Sequence, residues 1–177
     1  TCKVSLWSDH SKNQLSWTKE LEGRRNISFS STKTDKKGNI YIFGRTNDKS
    51  KVFLGEGEDY TIENEKYRSF IIKYSNDGKV IWKKSLWENE NYIWQFSQNF
   101  VINRALDLIL SGNGEVIKLS GKDGSKIWGN EKFKELITEH SLLLSIDQED
   151  NIIYTKDPNE GDFEIGKLSS DTGKVIW

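Results

Sequence analysis

An all-β fold built from repeated four-stranded antiparallel units is what this sequence predicts, on three observations. One phrase recurs. It reads Ile-Lys-Tyr-Ser-Asn-Asp-Gly-Lys-Val-Ile-Trp ending at Trp82, Ile-Lys-Leu-Ser-Gly-Lys-Asp-Gly-Ser-Lys-Ile-Trp ending at Trp128, and Gly-Lys-Leu-Ser-Ser-Asp-Thr-Gly-Lys-Val-Ile-Trp ending at Trp177. A fainter copy, Asn-Gln-Leu-Ser-Trp, ends at Trp17. Short β-branched and aromatic runs at 39–43, 106–110 and 151–154 are bounded by turn residues, as strands are. Asp77-Gly78, Asp123-Gly124 and Thr172-Gly173 sit between such runs, and Asp-Gly suits the tight hairpin turns that need positive φ. Gly112-Asn113-Gly114 separates two further runs in the same way.

The tryptophans at 17, 82, 128 and 177 stand 65, 46 and 49 residues apart. Periods of about 40–50 residues with several short strands each mark propeller blades. About three and a half blades follow. Residues 1–26 form a partial blade with only strands C and D, near 3–7 and 14–19. Residues 27–96 form a blade with a polar insertion at 46–67, which lengthens its period. Residues 97–140 form a blade with a short connector helix: Phe133, Leu136 and Ile137 follow helical spacing, and Asn130 is a suitable cap. Residues 141–177 form the last blade. The first unit lacks strands A and B, Met is absent, and the last residue is the blade tryptophan itself. The expectation is a partial or open propeller, because rings usually hold four to eight blades.

The phrase at 38–44, Gly-Asn-Ile-Tyr-Ile-Phe-Gly, with 70–82 resembles the bacterial beta-propeller (SBBP-type) repeat, and 171–177 resembles the blade end of pyrroloquinoline-quinone-like propeller repeats. The resemblance covers most of 14–177. It implies that each blade tryptophan docks between neighbouring blades on a turn peptide, which makes Trp17, Trp82, Trp128 and Trp177 structural anchors. It is almost silent on activity, since such repeats occur in dehydrogenases, assembly scaffolds and surface proteins. Quinoproteins would be expected to add a full ring, an acidic calcium ligand set and often a vicinal cysteine pair. One cysteine and too few blades argue against carrying over any catalytic residue.

Composition narrows the partners. The chain has 177 residues, 26 Lys plus Arg against 27 Asp plus Glu, and a net charge of −1. Such a balance offers no electrostatic reason for nucleic acid or an anionic membrane. Mean hydropathy is −0.71, yet 7 Trp, 6 Tyr and 8 Phe are not the composition of a disordered chain. No run of 18 apolar residues predicts a transmembrane helix. Cys2 is the single cysteine; it is a small strand residue or a candidate lipid anchor, although Thr1 precedes it and no lipobox is present. Asn26-Ile27-Ser28 fits a glycosylation sequon, of a kind common by chance.

Candidate chemistry is sparse. His10, in a C–D turn, and His140, before the last blade, are the only histidines, too distant with one cysteine to predict a metal centre or a nucleophile–base pair. Asp35-Lys-Lys-Gly-Asn39 and Asp147-Gln-Glu-Asp150-Asn151 carry oxygens that suit calcium, but they fit simple A–B turns better. Val52, Phe53 and Leu54 make an apolar triplet within the charged insertion, and Trp87 and Trp94 fall in a connector after the second blade. All five are candidate partner contacts, against the plainer reading of an extended B–C hairpin and ordinary packing. No cofactor is expected. The predicted function is a non-catalytic propeller module, binding a protein or surface ligand or serving as a scaffold in a bacterial extracytoplasmic setting (periplasm, cell surface or secreted). The alternative is part of a propeller enzyme, such as a quinoprotein or a glycan-active hydrolase.

Overall fold

A computed structural model of the chain describes residues 2–6, 17–21, 27–46, 51–53, 59–61, 67–89, 96–112, 115–130, 143–156 and 164–177. Among these residues there is no helix, and every sheet is antiparallel and open. The chain divides into two compact units, Thr1–Glu90 and Asn91–Trp177.

In the first unit, β1 (Cys2–Leu6) and β2 (Trp17–Leu21) form a hairpin in which Leu6 faces Trp17, where the two-stranded partial blade was expected. The next blade is a meander of β3 (Ile27–Thr34), β4 (Ile40–Thr46), β7 (Tyr67–Tyr74) and β8 (Val80–Asn89), paired in that order. Between β4 and β7 the insertion forms a separate two-stranded sheet, β5 (Lys51–Phe53) with β6 (Asp59–Thr61). Strand β4 reads Ile-Tyr-Ile-Phe and β7 reads Phe-Ile-Ile-Lys-Tyr. These runs are buried along their length because both faces of a blade's inner strands are covered. Gly44 lies under the ring of Phe70, its cross-strand partner, and a Cβ there would collide with that ring. Phe29 meets Phe70 edge-on at 6.1 Å. An aromatic laid over a strand glycine covers backbone that would otherwise be bare.

The second unit holds two blades. One is β9 (Phe96–Ile102), β10 (Leu108–Gly112), β11 (Glu115–Leu119) and β12 (Lys126–Asn130), again in consecutive order. The other is β13 (Leu143–Ile146), β14 (Ile152–Lys156) and β15 (Glu164–Leu168). Its fourth edge is the segment after β15, held by a bridge between Leu168 and Val175 and by bonds linking Lys167 to Ile176 and Trp177. The core between these two sheets joins Ile109 and Val116 of one to Leu144, Ile152, Tyr154 and Leu168 of the other.

Two expectations about connectors change. Asn130 does not cap a helix; it ends strand β12, and residues 131–142 lie outside the described residues. Trp87 is not in a connector, because β8 runs for ten residues and its backbone at 88–89 is still paired with 67–68.

Candidate functional site

The candidate site is the junction between the two blades of the second unit. Trp128 stands on β12, opposite Lys118 of β11. Its indole lies over Gly173, where an added Cβ would come within 2.6 Å of ring atom Cε3. Its Nε1–H donates to the Ser170 carbonyl at 2.9 Å. Lys118 Nζ reaches the same carbonyl at 3.1 Å, and Asn130 Nδ2 donates to the Gly173 carbonyl at 2.6 Å. Three side chains of one blade thus hold the C–D turn of the next. The turn can be held because it closes on itself: Gly173 N–H donates to Ser169 O, Ser169 N–H donates to Lys174 O, and Gly173 has φ +67°. Only a residue without Cβ satisfies both the left-handed backbone and the ring above it.

A second recurring arrangement links turns to strands within each blade. Each A–B turn has five residues with one Asp and one Asn at its ends: Asp35/Asn39, Asn103/Asp107 and Asp147/Asn151. The side chain at the first position accepts the fifth residue's backbone N–H in all three, at 3.0, 2.8 and 2.8 Å. The fourth position is left-handed in all three: Gly38, Leu106 and Asp150. A lysine on the third strand meets the turn's carboxylate each time. Lys73 lies 3.9 Å from Asp35, Lys118 3.4 Å from Asp107, and Lys167 2.8 Å from Asp147. In the middle blade Asp and Asn have exchanged ends, yet the lysine still has one carboxylate.

The electrostatics follow from this packing. Burial pushes the Asp35 carboxyl up. Hydrogen bonds from the Asn39 side chain and backbone, the Lys37 backbone and Tyr41 outweigh it and hold the group below the usual range. Burial lowers Lys73 despite the attraction of Asp35. The hydrogen bond between Lys167 and Asp147 raises the lysine and lowers the carboxyl. Asp123, in the exposed C–D turn, is held down to about 2, first by the Ser125 side chain and backbone. The two turns read as calcium candidates therefore have a lysine ammonium against the carboxylate, and a metal ion there would have to displace it. Among the described residues no group of three or more His, Cys, Asp or Glu is placed to hold a metal.

The remaining candidates are placed as follows. Trp82 is buried, with its ring 6.0 Å from that of Tyr41 in the same blade, while Lys73 lies over the Tyr41 ring at 5.0 Å. Trp177 is 59% exposed, so it makes no anchor within the described residues. Trp17 begins β2, Val52 and Phe53 pair with Tyr60 and Asp59 in the β5–β6 hairpin, and Cys2 opens β1 opposite Leu21. Leu54, Trp94, His10 and His140 lie outside the described residues. Sequence reasoning missed the lysines. The signal was present, since each recurring phrase carries a lysine two residues before its serine.

No family model matches the chain, and no curated protein matches it. Solved structures do. BamB from Moraxella catarrhalis is similar at 12% identity and TM-score 0.44, over 83% of this chain and 47% of that one. A protein of unknown function from Bacteroides caccae is similar at 13% identity and TM-score 0.40, over 93% and 64%. A europium-containing methanol dehydrogenase is similar at 9% identity and TM-score 0.47, over 89% and 28%. The chain thus spans less than two thirds of the length of each of these structures.

Proposed function

We propose that this chain is a non-catalytic propeller module that binds a protein partner in a bacterial extracytoplasmic setting. One observation carries the reading: the insertion stands as a hairpin of its own, β5–β6, in a sheet separate from the blade that it interrupts. Among the described residues, the A–B turn carboxylates are engaged by turn N–H groups and lysines, and Trp128 by a neighbouring turn. The hairpin carries Val52 and Phe53 between charged residues, a composition suited to contact with another protein. No helix among the described residues is long and apolar enough to cross a membrane.

The test removes residues 48–66 and replaces them with a short turn. The shortened chain is expected to keep its far-ultraviolet spectrum and unfolding midpoint, and to lose the protein that co-purifies with the intact chain from its native source. Unfolding on deletion would show that the hairpin serves packing alone. Undiminished co-purification would place the contact elsewhere. Stoichiometric binding of calcium or pyrroloquinoline quinone would favour the enzyme alternative.

A further inference from the structure

Two of the C–D turns place aspartate directly before glycine, Asp77-Gly78 and Asp123-Gly124, whereas the third has Thr172-Gly173. The glycine is left-handed in all three. An Asp-Gly bond is open to isomerisation, because glycine has no Cβ to shield its nitrogen. In that reaction the glycine nitrogen attacks the aspartate Cγ. A Cγ–N bond forms, a Cγ–O bond breaks, and one water leaves. The resulting succinimide takes up one water at its α-carbonyl, and the chain then runs through the side-chain carbonyl as isoaspartate. Two things are needed: an un-ionised carboxyl, whose hydroxyl can leave as water, and a glycine nitrogen free to attack.

Both turns withhold both. Gly78 N–H donates to the Ser75 carbonyl at 3.0 Å, and Gly124 N–H donates to the Ser120 carbonyl at 2.8 Å. A serine hydroxyl donates to each carboxylate: Ser75 Oγ to Asp77 Oδ1, and Ser125 Oγ to Asp123 Oδ1 at 2.7 Å. Ser125 N–H adds a second bond at 3.0 Å, and Lys79 Nζ stands 3.2 Å from Asp77 Oδ2. All of these contacts favour the ionised form. The Ser75 side chain and then Lys79 hold the Asp77 carboxyl below its ordinary value, and the Ser125 side chain and backbone hold Asp123 down to about 2. Near neutral pH the reactive un-ionised fraction of Asp123 is then about a hundredfold smaller than at an ordinary value near 4. Both aspartates are exposed, so these bonds and not burial protect them. The turn itself does not require a carboxylate, since Thr172 Oγ1 accepts the Lys174 N–H where Asp123 Oδ1 accepts the Ser125 N–H. We infer that Asp77-Gly78 and Asp123-Gly124 are latent isoaspartate sites, kept silent by Ser75 and Ser125 for as long as their hairpins are closed. Isomerisation therefore marks a hairpin that has opened, and the extra backbone methylene prevents it from closing in its former register.

The test incubates the folded chain beside two synthetic peptides, 70–82 and 117–128, at mildly acidic pH. Peptide mapping reads each turn separately, because Asn113-Gly114 yields the same product by deamidation. Isoaspartate at 77 and 123 is expected to form at least about tenfold more slowly in the folded chain than in the peptides. Ser125→Ala should speed the reaction at 123 alone, and Ser75→Ala at 77 alone, each with little change in unfolding midpoint. The inference is overturned if the folded chain reacts at the peptide rate, or if alanine variants that stay folded react no faster than the parent. Asp123→Asn gives a second measurement that leaves both serines in place. Its amide has no ionised state to hold, so folding should slow its reaction, relative to the matching peptide, by less than it slows that of aspartate. Equal slowing would show that rigidity alone protects the turn, and would overturn the role of the serine. Neither turn belongs to the β5–β6 hairpin, so the outcome does not bear on the deletion of 48–66.

Discussion

At the residue scale, three tryptophans with the same sequence context have three different environments. Trp82 is buried, Trp128 is half-buried over a neighbouring turn, and Trp177 is mostly exposed. Trp82→Ala is expected to cost about 3–5 kcal/mol, the range for emptying a large aromatic site, whereas Trp177→Ala should stay within about 0.5 kcal/mol, as surface changes do. Chemical denaturation of both variants checks the pair. Equal costs would mean that identical context imposes identical burial. Gly173 is the reciprocal test of the junction. Alanine there adds a Cβ at positive φ beneath the Trp128 ring, and about 1–3 kcal/mol of lost stability is expected from strain and overpacking together. In a Trp128→Ala background the Gly173→Ala cost should fall, because only the backbone strain remains.

At the scale of the element, the A–B turn and the third strand act as one unit through their lysine. Asp107→Asn would leave the buried Lys118 ammonium without its carboxylate, and breaking a buried pair in this way costs about 3–5 kcal/mol. Adding Asn103→Asp rebuilds the turn as it stands at 35–39 and 147–151, so the double variant should recover most of the loss. A double variant no better than the single one would show that each turn has its own fixed requirement. The same carboxylates set the acid limb of stability. Asp35, Asp147 and Asp123 have folded-state pKa values below their ordinary ones. The stability they contribute is fully present above the ordinary carboxylate value near 4 and is lost as pH falls through the lowered values. Unfolding midpoints should be insensitive to these groups from pH 5 to 8 and should fall below about pH 4. Asp147→Asn should flatten part of that fall. Lys167, raised by Asp147, contributes stability that is complete at neutral pH and is lost only as pH rises through its folded-state value.

At the scale of the whole molecule, local chemistry was legible and mutual arrangement was not. The strands at 40–46, 108–112 and 152–156 follow from β-branched and aromatic runs between turn residues. The left-handed glycines at 78, 124 and 173 follow from the turns that contain them. Both signals are local, carried by neighbours in the chain. The connector expected after Trp82 fails for the same reason: polar residues at 88–89 look like a loop, and only the pairing of β8 with β7 keeps them in a strand. The exchange of Asp and Asn between turns was visible as letters, but its meaning needed the lysine that reaches the turn from a strand some distance along the chain. The sequence by itself determined the all-β class, the antiparallel strands and the tight turns between them, because hydrophobic patterning and turn geometry act over a few residues. The tertiary structure alone decided which copy of a repeated tryptophan is covered and which is exposed, because burial depends on what packs opposite, and identical segments do not choose their neighbours.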